Sequence, residues 1–137
     1  MNLKEIAKEN TPKSYMVYHE NPDTLHVNTE EKHCYFIPFT KGQDPFLSRE
    51  KSERFILLNG EWKFKYYSSI VDMEDDFIHA EFTDTIPVPS NWQLHGYENP
   101  NYTNLNYPFP CDQPYVPDDN PCGVYQRTFE IASKWGK

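Results

Sequence analysis

The chain is poor in residues that build helices. Alanine is scarce, leucine and isoleucine are sparse, and 12 prolines stand among 137 residues. That balance argues for a β-rich, loop-rich chain of about one domain. No apolar run approaches the roughly 20 residues of a membrane-spanning helix. The opening Met1-Asn2-Leu3-Lys4-Glu5-Ile6 has no apolar signal core, so the expected compartment is the cytoplasm. A basic stripe is also missing. The net charge is −8, which argues against nucleic acid and anionic membranes as partners. Cys34, Cys111 and Cys122 form no CxxC pair and read as free thiols, and spacing leaves a Cys111–Cys122 bridge undecided. Zinc needs about four ligands at recognisable spacing. His19, His26, His33, His79 and His95 are scattered, and Pro22 with its β-type neighbours keeps the first three off one helical face. No metal site is read from spacing.

What the chain does have is aromatic side chains, 16% of its residues. They concentrate around Pro87–Pro108, the stretch that organises the rest. Pro87, Pro89, Pro100 and Pro108 each fix φ and restrict the residue before. Between them lie Asn91, Gln93, His95, Asn99, Asn101, Asn104 and Asn106, interleaved with Trp92, Tyr97, Tyr102 and Tyr107. A disordered segment does not carry so many aromatics. The pattern reads as an ordered loop that displays amides. Amides pair with hydroxyls and aromatic faces stack on sugar rings, so a neutral polyhydroxylated ligand suits it. Repeated turning by Asn and Pro is the plainer explanation of the same residues.

Taken in order, residues 1 to about 13 have the pattern of one short amphipathic turn carrying Leu3, Ile6 and Ala7. Tyr15–Phe39 reads as an extended arm, turned at Asn21-Pro22-Asp23, whose aromatics need another surface to bury against. Thr40–Ser52 is polar and hinge-like. Arg54–Leu58, the Asn59-Gly60 dipeptide and Glu61–Tyr67 predict a β-hairpin, with Trp62, Phe64 and Tyr66 on one face. Ser69–Phe77 predicts a short helix capped by Ser68 or Ser69. Its acids Asp72, Glu74, Asp75 and Asp76 read as a solvated face. Ile86–Val88 is a short edge strand, and Gly123–Ile131 alternates again with Tyr125 and Phe129 on one side. So few strands leave an open edge, and the chain is expected to be the N-terminal piece of something longer.

These residues resemble glycoside hydrolase family 2. Leu58-Asn59-Gly60-Glu61-Trp62-Lys63-Phe64 is similar to the opening of its sugar-binding domain. Val88–Tyr97, followed by Tyr102-Thr103-Asn104-Leu105-Asn106-Tyr107-Pro108, resembles the large bacterial β-galactosidases within it. Asn120–Tyr125 and Glu20-Asn21-Pro22 match further landmarks, so the resemblance runs over most of residues 18–131. It implies an all-β fold: a partial jelly-roll (galactose-binding-like) β-sandwich in residues 53–137, preceded by an extended N-terminal arm in residues 1–52. It also implies retaining hydrolysis of terminal β-D-galactosyl residues, as in lactose, by a longer chain. That chain's two catalytic glutamates lie in a barrel beyond Lys137, so this piece is expected to hold no catalytic residue and to be inactive alone. One substrate contact is carried over: Asn104, the Asn of Tyr-Thr-Asn, as a hydrogen-bonding partner of the galactosyl unit. Magnesium and sodium are implied for the full-length enzyme, ligated mainly by residues outside this piece. The arm resembles a segment of subunit contacts, so a homo-oligomer is implied. In a well-known enterobacterial member of the family an Asp three residues before the arm's Asn helps hold a structural magnesium together with that Asn. Tyr18 stands at that place and His19 replaces the family's Trp, so the set is incomplete here. The alternatives are a stand-alone carbohydrate-binding module and a structural assembly fragment without catalysis. The related β-glucuronidases rank lower because the Tyr102-Thr103-Asn104 region is galactosidase-like.

Overall fold

The computed structural model describes residues 16–102, 104, 107 and 109–136. The amphipathic pattern of residues 1–13 lies outside them, as do Thr103, Leu105, Asn106 and Pro108 of the motif. Among the described residues the fold is all-β apart from one helical turn, α1 (Met16–His19), and several 3-10 turns. Three strands make one antiparallel sheet: β1 (Gly60–Tyr67), β2 (Asp84–Val88) and β3 (Cys122–Gln126). The order is β2-β1-β3. β2 pairs with the first half of β1, from Gly60↔Val88 to Phe64↔Asp84. β3 pairs with the second half, from Lys63↔Gln126 to Tyr67↔Cys122.

The period-two reading of β1 holds. Trp62, Phe64 and Tyr66 share a face, and the register adds Ile86, Tyr125 and Gly123 to it. Phe64 and Ile86 are fully buried there. The Phe64 ring meets Tyr125 at 4.7 Å, Tyr97 at 4.8 Å and Trp92 at 6.4 Å between centroids. Each well-placed aromatic pair contributes about 0.5–1.5 kcal/mol beyond its buried area. The opposite face holds a smaller cluster of buried Tyr67 and Met73, with Cys122 Sγ 3.8 Å from Met73 Sδ. All three cysteines are free thiols.

The predicted hairpin does not form. Both sides of β1 are taken by distant strands, so Arg54–Leu58 has no ladder to join. Asn59-Gly60 is a strand entry instead, with Gly60 at φ +128°, a backbone that side-chain-bearing residues rarely adopt. Arg127 fixes that entry: its Nη1 donates to Leu58 O at 2.7 Å and to Asn59 O at 2.6 Å. The predicted helix over 69–77 is replaced by two 3-10 turns, Ile70–Asp72 and Phe77–His79. Ser69 does cap the first, accepting from Val71 N. The turn is diverted because Ser69 Oγ and Ile70 N donate to Asp118 O and Asn120 O of a remote loop. Of the predicted 123–131 strand, only the part opposite β1 forms, and Phe129 is half exposed.

A capped turn forms at Asn21-Pro22-Asp23, where one was expected. Asn21 Oδ1 accepts from Asp23 N at 3.0 Å, and Pro22–Thr24 makes the 3-10 turn. Residues 29–40 then run without regular structure, and Tyr35 and Phe36 are exposed. Ser52 is buried, and its Oγ donates to Pro38 O at 2.5 Å.

Candidate functional site

The segment between β2 and β3 turns over the aromatic face. Trp92–His95 forms a 3-10 turn that ends at Gly96. Trp92 is the anchor of this turn. Its ring packs against Phe64 and Tyr66 and lies directly over Gly123. A Cβ at Gly123 would stand 2.7 Å from Trp92 Cζ3, so only glycine admits the ring there. Its Nε1 donates to Glu98 Oε2 at 2.9 Å, and Gln93 Nε2 donates to the same oxygen at 3.1 Å. Tyr97 joins the same aromatic cluster, and burial raises its hydroxyl pKa, as it does those of Tyr66 and Tyr125.

Asn104 lies farther along, exposed at the surface. Its Nδ2 donates to the Tyr102 hydroxyl at 2.8 Å, and the Tyr102 ring is itself largely exposed. The amide oxygen therefore stands at the surface, with its orientation set by a phenol two residues away. His95 Nε2 lies 3.1 Å from Ser90 Oγ, and Ser90 Oγ in turn donates to Pro87 O.

Two clefts open beside the Trp92 turn. One of about 590 Å3 is lined by Trp62, Val88, Pro89, Asn91, Leu94 and Tyr125, mostly apolar. The other, of about 450 Å3, is lined by Trp92, Glu98, Asn101, Phe109, Asp119 and Asn120 among others, and mixes rings, amides and carboxylates. Glu98, which holds the Trp92 turn through two donors, is the side chain that sequence reasoning passed over. Its signal was a single acid inside a run of neutral amides.

The acidic run after β1 is only partly a solvated face. Lys65 Nζ lies 2.5 Å from Glu74 Oε1, and the Tyr67 hydroxyl donates to Glu74 Oε2. Lys65, and then Tyr67, pull the Glu74 pKa from its ordinary 4.5 down to about 2. Burial is the main cause of the raised Tyr67 pKa, with Glu74 second.

The arm does not suit a magnesium ion. Asn21 Oδ1 is already engaged by Asp23 N, and Glu20 Oε1 accepts from Val116 N at 3.0 Å. Tyr18 offers only a phenol. His19 Nδ1, buried without a described partner, is a lone nitrogen, whereas magnesium takes an octahedral set of oxygens. Among the described residues no three His, Cys, Asp or Glu side chains gather into a metal-binding group.

The sequence-family model for "Glycosyl hydrolases family 2, sugar binding domain" matches residues 55–137, which hold the whole sheet and both clefts. The chain belongs to glycosyl hydrolase family 2. Among curated relatives, a protein named Beta-galactosidase from Actinobacillus pleuropneumoniae is 50% identical over 118 residues, 85% of this chain and 12% of that protein. One of the same name from Pectobacterium atrosepticum is 49% identical over 88 residues, 63% of this chain and 8% of that protein. Another, from Staphylococcus xylosus, is 40% identical over 116 residues, 83% of this chain and 12% of that protein. The family 2 chain thus spans 12% or less of the length of these three relatives. Among the described residues, no helix of this family member is long and apolar enough to cross a membrane.

Proposed function

We propose that this chain is the N-terminal part of a retaining β-galactosidase that hydrolyses terminal non-reducing β-D-galactose residues, lactose among them. The observation that carries the reading is the 50% identity to a protein named Beta-galactosidase over 85% of the chain. Residues 1–52 are the arm and residues 53–137 the first part of a jelly-roll sandwich. Retention requires two carboxyl groups about 5–5.5 Å apart, one as acid/base and one as nucleophile. Both belong to the remainder of the enzyme, so this chain contributes binding and assembly rather than bond cleavage. Magnesium and sodium serve that remainder. The full enzyme is a cytoplasmic homo-oligomer.

Asn104 is the galactosyl contact. Its amide donates to and accepts from sugar hydroxyls, and the Tyr102 bond supports this by holding the amide in one orientation. The test is turnover of a chromogenic β-galactoside by the full-length gene product. Asn104→Ala removes one hydrogen bond, about 1 kcal/mol or roughly fivefold in kcat/KM, and more where the bond tightens in the transition state. Unchanged kcat/KM in Asn104→Ala would sink the assignment. The same Tyr102 bond also favours a second reading, in which Asn104 only shapes its loop. Tyr102→Phe separates the two. Loop shaping predicts equal losses for both variants, whereas galactosyl contact predicts the larger loss for Asn104→Ala.

A further inference from the structure

We infer that Glu98 is a positioning residue for Asn104: its carboxylate sets the direction in which the chain leaves the sheet toward that side chain. Its role rests on the galactosyl contact proposed for Asn104. Glu98 Oε2 accepts from Trp92 Nε1 at 2.9 Å and from Gln93 Nε2 at 3.1 Å, which closes residues 92–98 into a ring. An ionised acceptor makes both bonds stronger than neutral ones. The ring is tied to the sheet near both of its ends. Trp92 lies over Gly123 and against Phe64 and Tyr66, and Tyr97 packs on Phe64 at 4.8 Å and on Tyr66 at 5.7 Å between centroids. Tyr97 therefore fixes the point at which the chain leaves the sheet. Glu98, pulled back onto Trp92 and Gln93, fixes its heading.

Beyond Glu98 the ties become short-ranged. Among the described residues, the hydrogen bonds of residues 99–115 are all local: Asn104 Nδ2 to the Tyr102 hydroxyl, Asp112 N to Pro110 O, and Tyr115 N to Asp112 O. The next tie to a distant element comes at Val116, whose N donates to Glu20 Oε1 at 3.0 Å. Asn104 thus hangs between two carboxylate ties, and Glu98 is the nearer, six residues away against twelve. Pro100 fixes its own φ and restricts Asn99, so this short segment passes a change of heading on rather than absorbing it. Six residues reach at most about 20 Å, so a rotation of about 5° at Glu98 moves Asn104 by up to about 2 Å. A displacement of about 1 Å is enough to spoil a productive contact. Tyr102 orients the amide, and Glu98 places it.

The test is kcat/KM for a chromogenic β-galactoside, measured on the full-length gene product. A residue that acts through Asn104 cannot cost more than Asn104 itself. Glu98→Ala is expected to lose about two- to fivefold, against roughly fivefold for Asn104→Ala, and to lose nothing further in the Asn104→Ala background. A structural role elsewhere would instead add its loss to that of Asn104→Ala. Glu98→Gln, whose amide oxygen still accepts from both donors, is expected to recover most of the activity. Gln93→Ala removes one donor and leaves the Trp92 ring in place. It is expected to lose about twofold, again only where Asn104 is present, and it decides the matter where Glu98→Ala does not fold. With Asn104→Ala impaired, four results would each overturn the role of Glu98 alone: additive losses, a larger loss in Glu98→Ala than in Asn104→Ala, parent-like kcat/KM in Glu98→Ala, or no recovery in Glu98→Gln. Unchanged kcat/KM in Asn104→Ala would remove the galactosyl contact itself, and the positioning role with it.

Discussion

Gly123→Ala tests the contact on which the whole site stands. Its new Cβ would lie 2.7 Å from Trp92 Cζ3, 2.8 Å from Trp92 Cε3 and 2.9 Å from Phe64 Cε2. Carbon atoms rest at about 3.5–4.0 Å, so something must move by about 1 Å. Phe64 cannot give way, because it is fully buried among three other rings. Trp92 is held at its far side by Glu98. Overpacking of this kind costs about 1–3 kcal/mol. Replacing glycine in a strand returns about 0.5–1 kcal/mol of backbone entropy, so a net loss of about 1–2 kcal/mol remains. With a urea m-value of about 1–3 kcal/mol/M, the unfolding midpoint should fall by roughly 1 M, followed by tryptophan fluorescence. Trp92→Leu removes the obstructing ring. In that background Gly123→Ala should cost less, with a coupling of about 1 kcal/mol in the double-mutant cycle. A midpoint that stays or rises in Gly123→Ala, or a cycle without coupling, would refute the packing argument.

Glu74 makes stability depend on acid. Its pKa is about 2 when folded against an ordinary 4.5, so its contribution is complete above pH 4.5 and drains away as pH falls toward 2. Urea midpoints at pH 7 and pH 3 should therefore differ more in the parent than in Glu74→Gln, and equal differences would discount the Lys65–Glu74–Tyr67 cluster. Arg127→Ala strips the strand entry of both carbonyl contacts and should cost about 1–2 kcal/mol by urea unfolding. Arg127→Lys, which keeps the charge but does not place an N–H donor at the Nη1 position, should recover only part of that. Full recovery would mean that any cationic donor, and not the placement of the guanidinium, holds the entry.

Local patterns in the sequence carried some of this a long way. The alternation of Trp62, Phe64 and Tyr66 identified a face that the structure fills with Trp92, Tyr97 and Tyr125. The excess of aromatics near Trp92 signalled burial that holds for Trp92 and Tyr97, which pack on Phe64 and Tyr66, but not for Tyr102 and Tyr107, which stay exposed. Asn59-Gly60 misled because turn propensity is local, whereas strand partners are chosen by nonlocal packing. An arginine 67 residues beyond Gly60 holds the entry, and nothing in the dipeptide announces it. The 69–77 segment failed similarly, since its helix-like spacing was overridden by bonds to residues 118 and 120. Glu98 escaped notice because its importance lies in two donors that only the fold brings to one oxygen. The arm's aromatics advertised a need for burial, yet Tyr35 and Phe36 remain exposed.

The pairing of β1 has a mechanical corollary. β2 ends opposite Gly60 and β3 begins opposite Tyr67, at the two ends of the central strand. The connection from Val88 to Cys122 must therefore traverse roughly 23 Å of sheet at about 3.3 Å per residue, as a strap rather than a tip. It has about 30 residues to do so, enough to reach some 100 Å if stretched. About three-quarters of its length is slack, and Asn104 and the carboxylate-lined cleft are both built from that surplus. Insertions near Asn104 would lengthen the slack without moving either anchor, at a closure cost of only about 0.6 kcal/mol per doubling. Shortening the strap at the Trp92 end would pull directly on the sheet.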